Sequence, residues 1–288
     1  MAKADLSTGE KTFIIHGIQD GLRTDGRSCE NYRNIELECG VVSNTSGSAR
    51  LKLANTQILV GIKAEMGTPR PTRPNEGYAE FFVDFSANAS PEFEGRGGEE
   101  LAVEIANTLA TVYDHQQVLD YKSLGIISRQ CCWVIYVDIV VLECGGNLFD
   151  AIGVAVKAAL YNTRLPHVTV QTDDDGQEEL ELSDDPHDVI AINTDNVPLF
   201  ITVSKVGQRH VVDASLKEEA CCLACLVVAV STEGHICGME KKGPNSLAVD
   251  SIQDMINTAK KVGISLNQSL SSVLKKIGYG AKAVGFLN

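Results

Sequence analysis

The stretch Glu143–Gly153, ECGGNLFDAIG, carries the residue types of an anion cradle. An apolar strand runs into two glycines, a polar residue follows, and a helix begins. Backbone N–H groups at such a turn hold phosphate by hydrogen bonding, helped by the helix dipole. The same residues also suit a structural turn, with Asn147 as N-cap and Leu148 and Phe149 packing inward. Asp150, in the first helical turn, suits the dipole but competes with a phosphate.

Farther along, VVDASLKEEA holds Asp213 and Glu219, with a capping box between Ser215 and Glu218. Other chemistries are poorly represented. The chain has no G-x-S-x-G elbow, no H-E-x-x-H and no G-x-x-x-x-G-K-[ST] loop. Its six histidines (His16, His115, His167, His187, His210, His235) lack ligand spacing. Cys222-x-x-Cys225 has no second ligand pair nearby and lies in a strand-like run, so it reads as core. Neither a metal nor a cofactor is expected.

Elements must position these groups. Ser7 and Glu10 make a capping box that opens a short helix through Phe13 and Ile14. Ile35, Leu37, Cys39 and Val41 alternate with polar residues as in a half-buried strand. Strands follow at Ala49–Leu53, Ile58–Ala64 and Phe81–Phe85, the last after the Pro/Gly loop MGTPRPTRPNEG. Leu101, Ile105, Leu109 and Val112 place a helix over Glu99 to about Gln116. Trp133–Leu142 reads as a buried strand, and Phe149, Ile152, Val156 and Leu160 predict a helix after the glycines. Further strands are expected near Leu199–Ser204 and His210–Val212, then a hairpin of Leu226–Val230 and His235–Met239. The chain ends in helix, with Ile252, Met255, Ile256 and Ala259, then Leu266, Leu270, Val273 and Ile277.

Composition bounds the class. Of 288 residues, 44% are hydrophobic and 22% charged, as in soluble globular proteins. No apolar run approaches the ~20 residues of a membrane span, and the N-terminus lacks a hydrophobic signal region. The nine cysteines, mostly in apolar strand context, suit a reducing compartment. A net charge of −13 argues against independent gripping of nucleic acid, which needs phosphate neutralisation. Much of the acid lies in Asp173–Asp188 (DDDGQEELELSDDPHD), expected to be a solvated loop between two units, 1–195 and 196–288.

Several segments together resemble the RNase PH superfamily: LRTDGR (Leu22–Arg27), GSARLKLANTQILVGIK (Gly47–Lys63), FEGRGG (Phe93–Gly98) and the strand–turn–helix from Trp133 to Thr163. ECGGNLFDA, ALYNTRLP and the ending VGFLN are most similar to its branch of non-catalytic ring subunits of the eukaryotic RNA exosome. The resemblance implies an α+β fold of mixed sheets with a few long helices. It implies an RNase PH-like core with an N-terminal helix (1–195) and a C-terminal α/β subdomain (196–288).

The resemblance also implies partners and site positions. The partners would be other RNase PH-like subunits in a six-membered ring, RNA-binding cap subunits, RNA and a separate nuclease, with no membrane. Location would be nucleus, nucleolus and cytoplasm. Active relatives hold phosphate with a glycine turn, a hydroxyl residue and an arginine. Here Gly145 and Gly146 match the turn, while Asn147 and Leu148 stand at the other two positions. Asp213 and Glu219 fall near the family's catalytic acids, with Glu replacing Asp at the second; the structural reading, a polar strand end and a capping-box helix, is favoured because carboxylates without a phosphate pocket cannot complete the reaction. Arg96 lies in a loop that the resemblance places beside the ring's channel, and Arg70 and Arg73 form a second cluster. Such guanidiniums contact passing phosphates without reading bases.

The expected function is therefore a non-catalytic exosome ring subunit. An active phosphate-dependent 3′–5′ exoribonuclease and an independent RNA-binding module are the alternatives.

Overall fold

The computed structural model describes residues 6–94, 96–172, 178–183, 185 and 188–277. Gly95, His187, the acidic stretch 173–177 and the VGFLN ending lie outside them. Helix α1 (Thr8–Gln19) opens on the predicted capping box. Ser7 Oγ accepts from the Glu10 N–H at 3.3 Å, and the Glu10 carboxylate accepts from the Ser7 N–H at 2.8 Å. Phe13 is exposed, whereas Ile14 and Ile18 are buried. Their partners are Val206, Val211 and Cys221, far along the chain.

The first sheet contains β1 (Ile35–Cys39), β2 (Gly47–Leu53), β3 (Thr56–Gly67), β4 (Tyr78–Phe85), β5 (Gly125–Ile127) and β6 (Cys131–Glu143). Its order is β1-β2-β3-β6-β4, with β5 also paired to β6. Only the β4–β6 pair is parallel. Alternate residues fill one core, among them Leu51 and Leu53, Ile58 and Val60, and Val137 and Ile139.

Helix α2 (Glu99–Tyr113) presents the predicted stripe, with Ile105, Leu109 and Val112 buried. It ends three residues earlier than expected, at Tyr113, and the N–H of the following Asp114 donates to Ala110 O. Helix α3 (Leu148–Asn162) differs more from its predicted pattern, because twelve of its fifteen residues are buried. It packs against β2 and β3 on one side and a second sheet on the other. A helix so enclosed has no solvent face. Gly153 permits this closeness: a Cβ there would lie 2.8 Å from Phe200 Cδ2.

Two small ribbons follow, β7 (Arg164–Pro166) with β10 (Val189–Ala191), and β8 (Val168–Thr172) with β9 (Glu178–Leu182). The acidic segment is thus partly strand, correcting its reading as a loop. Its Leu180 and Leu182 face Val170 and Val168 across the ribbon, a period-two pattern masked by neighbouring acids.

The second sheet is antiparallel, of β11 (Leu199–Val206), β12 (Arg209–Val212), β13 (Ala224–Val230) and β14 (Ile236–Lys242), in the order β12-β11-β13-β14. The short α4 (Leu216–Glu219) joins β12 to β13. Along β13, Val227 and Ala229 join the α3 core, whereas Leu226, Val228 and Val230 meet Met255, Ala259 and Val262 of α5 (Val249–Ile277). The molecule is α+β in layers: first sheet, α2 and α3, second sheet, α5. The C-terminal helix is continuous over 29 residues, and Leu274 is buried where Val273 had been expected. Among the described residues no helix is long and apolar enough to cross a membrane.

Candidate functional site at the glycine turn

Between β6 and α3 the backbone turns through Gly146 (φ +96°) and Asn147 (φ +58°), both left-handed. Glycine is required at both preceding positions by close approach. A Cβ on Gly145 would lie 2.7 Å from Asn55 Cβ, and one on Gly146 would lie 2.7 Å from the Leu216 nitrogen. Asparagine tolerates the left-handed region better than most residues. Thr56 Oγ1 accepts from the Gly145 N–H at 3.1 Å and donates to Gly146 O at 2.7 Å. Arg33 donates to the carbonyls of Gly145 (2.9 Å) and Gly146 (3.0 Å).

Asp213 anchors the other side and is fully buried. Its carboxylate accepts from Arg33 Nη2 (2.8 Å), Arg33 Nε (3.0 Å), the Arg33 backbone N–H (2.7 Å), Arg27 Nη1 (2.9 Å) and Asn147 Nδ2 (2.8 Å). Burial acts to raise its pKa, but the hydrogen bonds and charge of Arg33 outweigh this and hold it below the usual carboxylate range. Next to it, Arg23 forks onto Glu218 at 2.9 and 2.7 Å, and Glu218 also receives the Ser215 N–H at 2.8 Å.

The remaining acids behave differently from expectation. Asn147 stands at the N-cap position, yet its side chain makes no capping bond. Its Nδ2 instead bridges Asp213 and Asp150 (3.0 Å), while its own N–H donates to Glu219 Oε1 at 2.7 Å. Desolvation pushes Glu219 up to about 7. Asp150 does not face an incoming anion. It is buried toward β11, accepting from the Thr202 N–H (2.8 Å), Thr202 Oγ1 (2.7 Å), Asn147 and Tyr32 OH. Burial raises it to about 6. Leu148 packs into the core.

This architecture matches known proteins along nearly its whole length. The profile of the 3′ exoribonuclease family, domain 1, matches residues 31–166, and that of domain 2 matches residues 196–262. A Dictyostelium discoideum protein named putative exosome complex exonuclease RRP42 is 34% identical, covering 94% of this chain and 98% of that one. The chain belongs to the 3′ exoribonuclease family. Exosome complex component Rrp42 of Thermococcus kodakarensis is 35% identical, over 93% of this chain and 95% of its own. A chain from the Archaeoglobus fulgidus exosome with RNA bound to the active site superposes with a TM-score of 0.77 at 26% identity, covering 90% of this chain and 97% of that one. An archaeal exosome core chain shares the fold, with a TM-score of 0.75 at 24% identity, covering 91% and 96%.

At this turn the N–H groups of Gly145 and Asn147 are already engaged, by Thr56 Oγ1 and Glu219 Oε1. The guanidinium nearest the glycines, Arg33, lies across the turn from the helix start and binds Asp213 and two carbonyls. Sequence reading missed Arg23, Arg27, Arg33, Tyr32, Thr56 and Thr202, whose partners lie 52 to 195 positions away. Arg23, Arg27 and Thr56 fall in segments that carry the family resemblance, but no local pattern marks their partners.

The other candidate arginines lie elsewhere. Arg96 has a side chain 90% exposed, 3.7 Å from Glu99. Arg73 forks onto Asp114 at 3.1 and 3.2 Å, and Arg70 stacks 4.5 Å over the Tyr78 ring, 3.7 Å from Asp114. Glu99 begins α2 and Asp114 caps its end, so the two clusters sit roughly 20 Å apart along that helix. They do not form one patch.

Cys225 is buried, and Cys222 Sγ donates to Ala224 O at 3.2 Å; burial pushes both thiols up. Among the described residues no group of three or more His, Cys, Asp or Glu is disposed to hold a metal ion.

Proposed function

We propose that this chain is a non-catalytic structural subunit of an RNA exosome ring, supporting 3′-to-5′ RNA processing and decay and helping to line the RNA channel. The observation that carries the reading is the start of α3. Leu148 is buried in the core at the position where the resemblance calls for arginine, and the adjacent Asn147 N–H already has a carboxylate partner. Phosphorolysis needs a cationic pocket for phosphate. A helix N-terminus alone supplies about half a charge, worth roughly 0.3–1 kcal/mol when exposed.

In this reading the chain joins other RNase PH-like subunits in a six-membered ring, with RNA-binding cap subunits and a separate nuclease. It acts in nucleus, nucleolus and cytoplasm, and its net charge of −13 leaves most of the channel's positive potential to its partners. Arg96 supplies a sequence-indifferent phosphate contact. Relatives named as exosome components support the assembly.

Co-expression with other RNase PH-like chains tests this directly. A stable heteromer is expected, and the purified chain, given labelled RNA and orthophosphate, is expected to release no nucleoside diphosphate. The name of the Dictyostelium relative includes exonuclease, which favours the active-enzyme alternative. Nucleoside diphosphate release by this chain, lost on Asp213→Asn, would establish that alternative and remove the structural reading.

A further inference from the structure

The ribbon of β8 and β9 has an apolar face that is covered only at its base. Val168 stands opposite Leu182 and Val170 opposite Leu180, so the four share one face. Val168 packs against the first core, whereas Val170, Leu180 and Leu182 are 42%, 36% and 48% exposed. Two strands alone are marginally stable in water, and a third strand is one of the additions that steadies them.

One edge of the ribbon is open to such a strand. The Ser183 N–H donates to His167 O at 3.0 Å. In an antiparallel ladder bonded pairs recur at every second position, which makes Thr169–Glu181 and Gln171–Glu179 the next ones. The N–H and C=O groups of Leu180 and Leu182 therefore point away from β8. Among the described residues no strand pairs with that side of β9.

The sequence selects the occupant. Glu179, Leu180, Glu181 and Leu182 alternate acid with leucine, and no lysine or arginine occurs from Asp173 to Asp188. Glu181 is exposed and accepts from Gln171 Nε2. Antiparallel pairing of two β9 edges would set glutamate against glutamate, which disfavours a second copy of this chain. A strand that alternates basic and β-branched residues instead meets acid with base and leucine with an apolar partner.

We infer that the outer edge of β9 is a docking site for an extended partner segment of alternating basic and apolar residues, which joins the ribbon antiparallel as its third strand. Main-chain bonds to Leu180 and Leu182 hold the segment, and the alternation of its side chains sets its register. The site is independent of whether the glycine turn is catalytic.

The test uses the full chain and a capped synthetic peptide of alternating lysine and valine, read by titration calorimetry. Valines opposite Leu180 and Leu182 turn their N–H groups toward β9, and the lysine N–H groups face away. N-methylation of the valine amides should abolish binding, whereas N-methylation of the lysine amides should leave it within about twofold. A peptide of the same composition with its valines in one block should bind about tenfold more weakly, having lost its cross-strand pairs. Leu180→Ser with Leu182→Ser should remove binding. Glu181→Lys should weaken the lysine–valine peptide and favour a glutamate–valine one. Glu233→Lys, at a distant exposed acid beside His235, should do neither.

No saturable binding of the alternating peptide would overturn the inference, as would equal binding of the blocked one. Equal affinity of the two N-methylated peptides would do the same, and these arms need no variant to fold. Self-association of the peptide-free chain, lost in the double serine variant, would give the edge to a second copy and overturn it as well.

Discussion

Two arginine–aspartate clusters among the described residues, at Asp213 and at Asp114, have opposite physical consequences. At Asp213, two guanidiniums and a backbone N–H close on a carboxylate with no exposed surface. At Asp114, Arg73 and Arg70 meet an acid that is half exposed. Buried charges interact strongly and are costly to leave unpaired, so the first group fixes the glycine turn in one geometry. Water and salt screen the second group, which leaves its geometry loosely specified. Chemistry that needs a free cation is closed to the first cluster. A transient phosphate contact remains open only to surface groups such as Arg96 or the Arg70–Arg73 pair.

The contrast breaks most visibly at its buried end. Asp213→Ala should cost about 3–5 kcal/mol in urea unfolding, because Arg33 and Arg27 lose their counter-charge. A loss below about 1 kcal/mol would mean that the cluster is no more binding than a surface pair. Glu219 gives the next largest effect, through pH. Desolvation raises its folded pKa from 4.5 to about 7, so the folded state holds this proton more tightly than the unfolded chain. Its contribution is fully present below about pH 4.5 and is lost as pH rises through about 7. Glu219→Gln should therefore gain on the order of 2 kcal/mol over wild type between pH 5 and 8, read from paired urea curves across that range. A constant difference between the two proteins would show that the carboxyl is not desolvated.

At the surface the expected effects shrink. Arg73→Ala should change stability by about 0.2–1 kcal/mol, falling further in high salt. Arg96→Ala should leave stability within about 0.5 kcal/mol. In the assembled ring it should reduce the salt slope of RNA retention by about 0.7, the value for one single-strand phosphate contact. An unchanged slope would remove Arg96 from the channel surface.

Local patterns were readable where one face meets one core. The α2 stripe and the Ser7–Glu10 box lie where periodicity and capping chemistry put them. The pattern was misleading where an element is enclosed. Phe149, Ile152, Val156 and Leu160 marked one stripe of α3, and Asp150, outside it, read as a first-turn residue that competes with a phosphate. With sheets on both sides there is no outer face, so Asp150 is buried against Thr202. In β9, acids concealed the alternation of Leu180 and Leu182. The site itself was legible as a backbone turn and illegible as a network. Arg33 and Asp213 are 180 positions apart, and no spacing rule links them.

Helix α1 raises a matter of timing. It leaves the ribosome well before the residues that cover it, for Ile14 and Ile18 pack against Val206, Val211 and Cys221. At roughly 5–20 residues per second, the ~190 residues between Ile18 and Val206 take about 10–40 s to synthesise. Contacts this distant in sequence also slow folding through the entropy of closing a long loop. The helix is therefore made long before it can find its place, and a chain interrupted before β11 would leave two isoleucines open to chaperones.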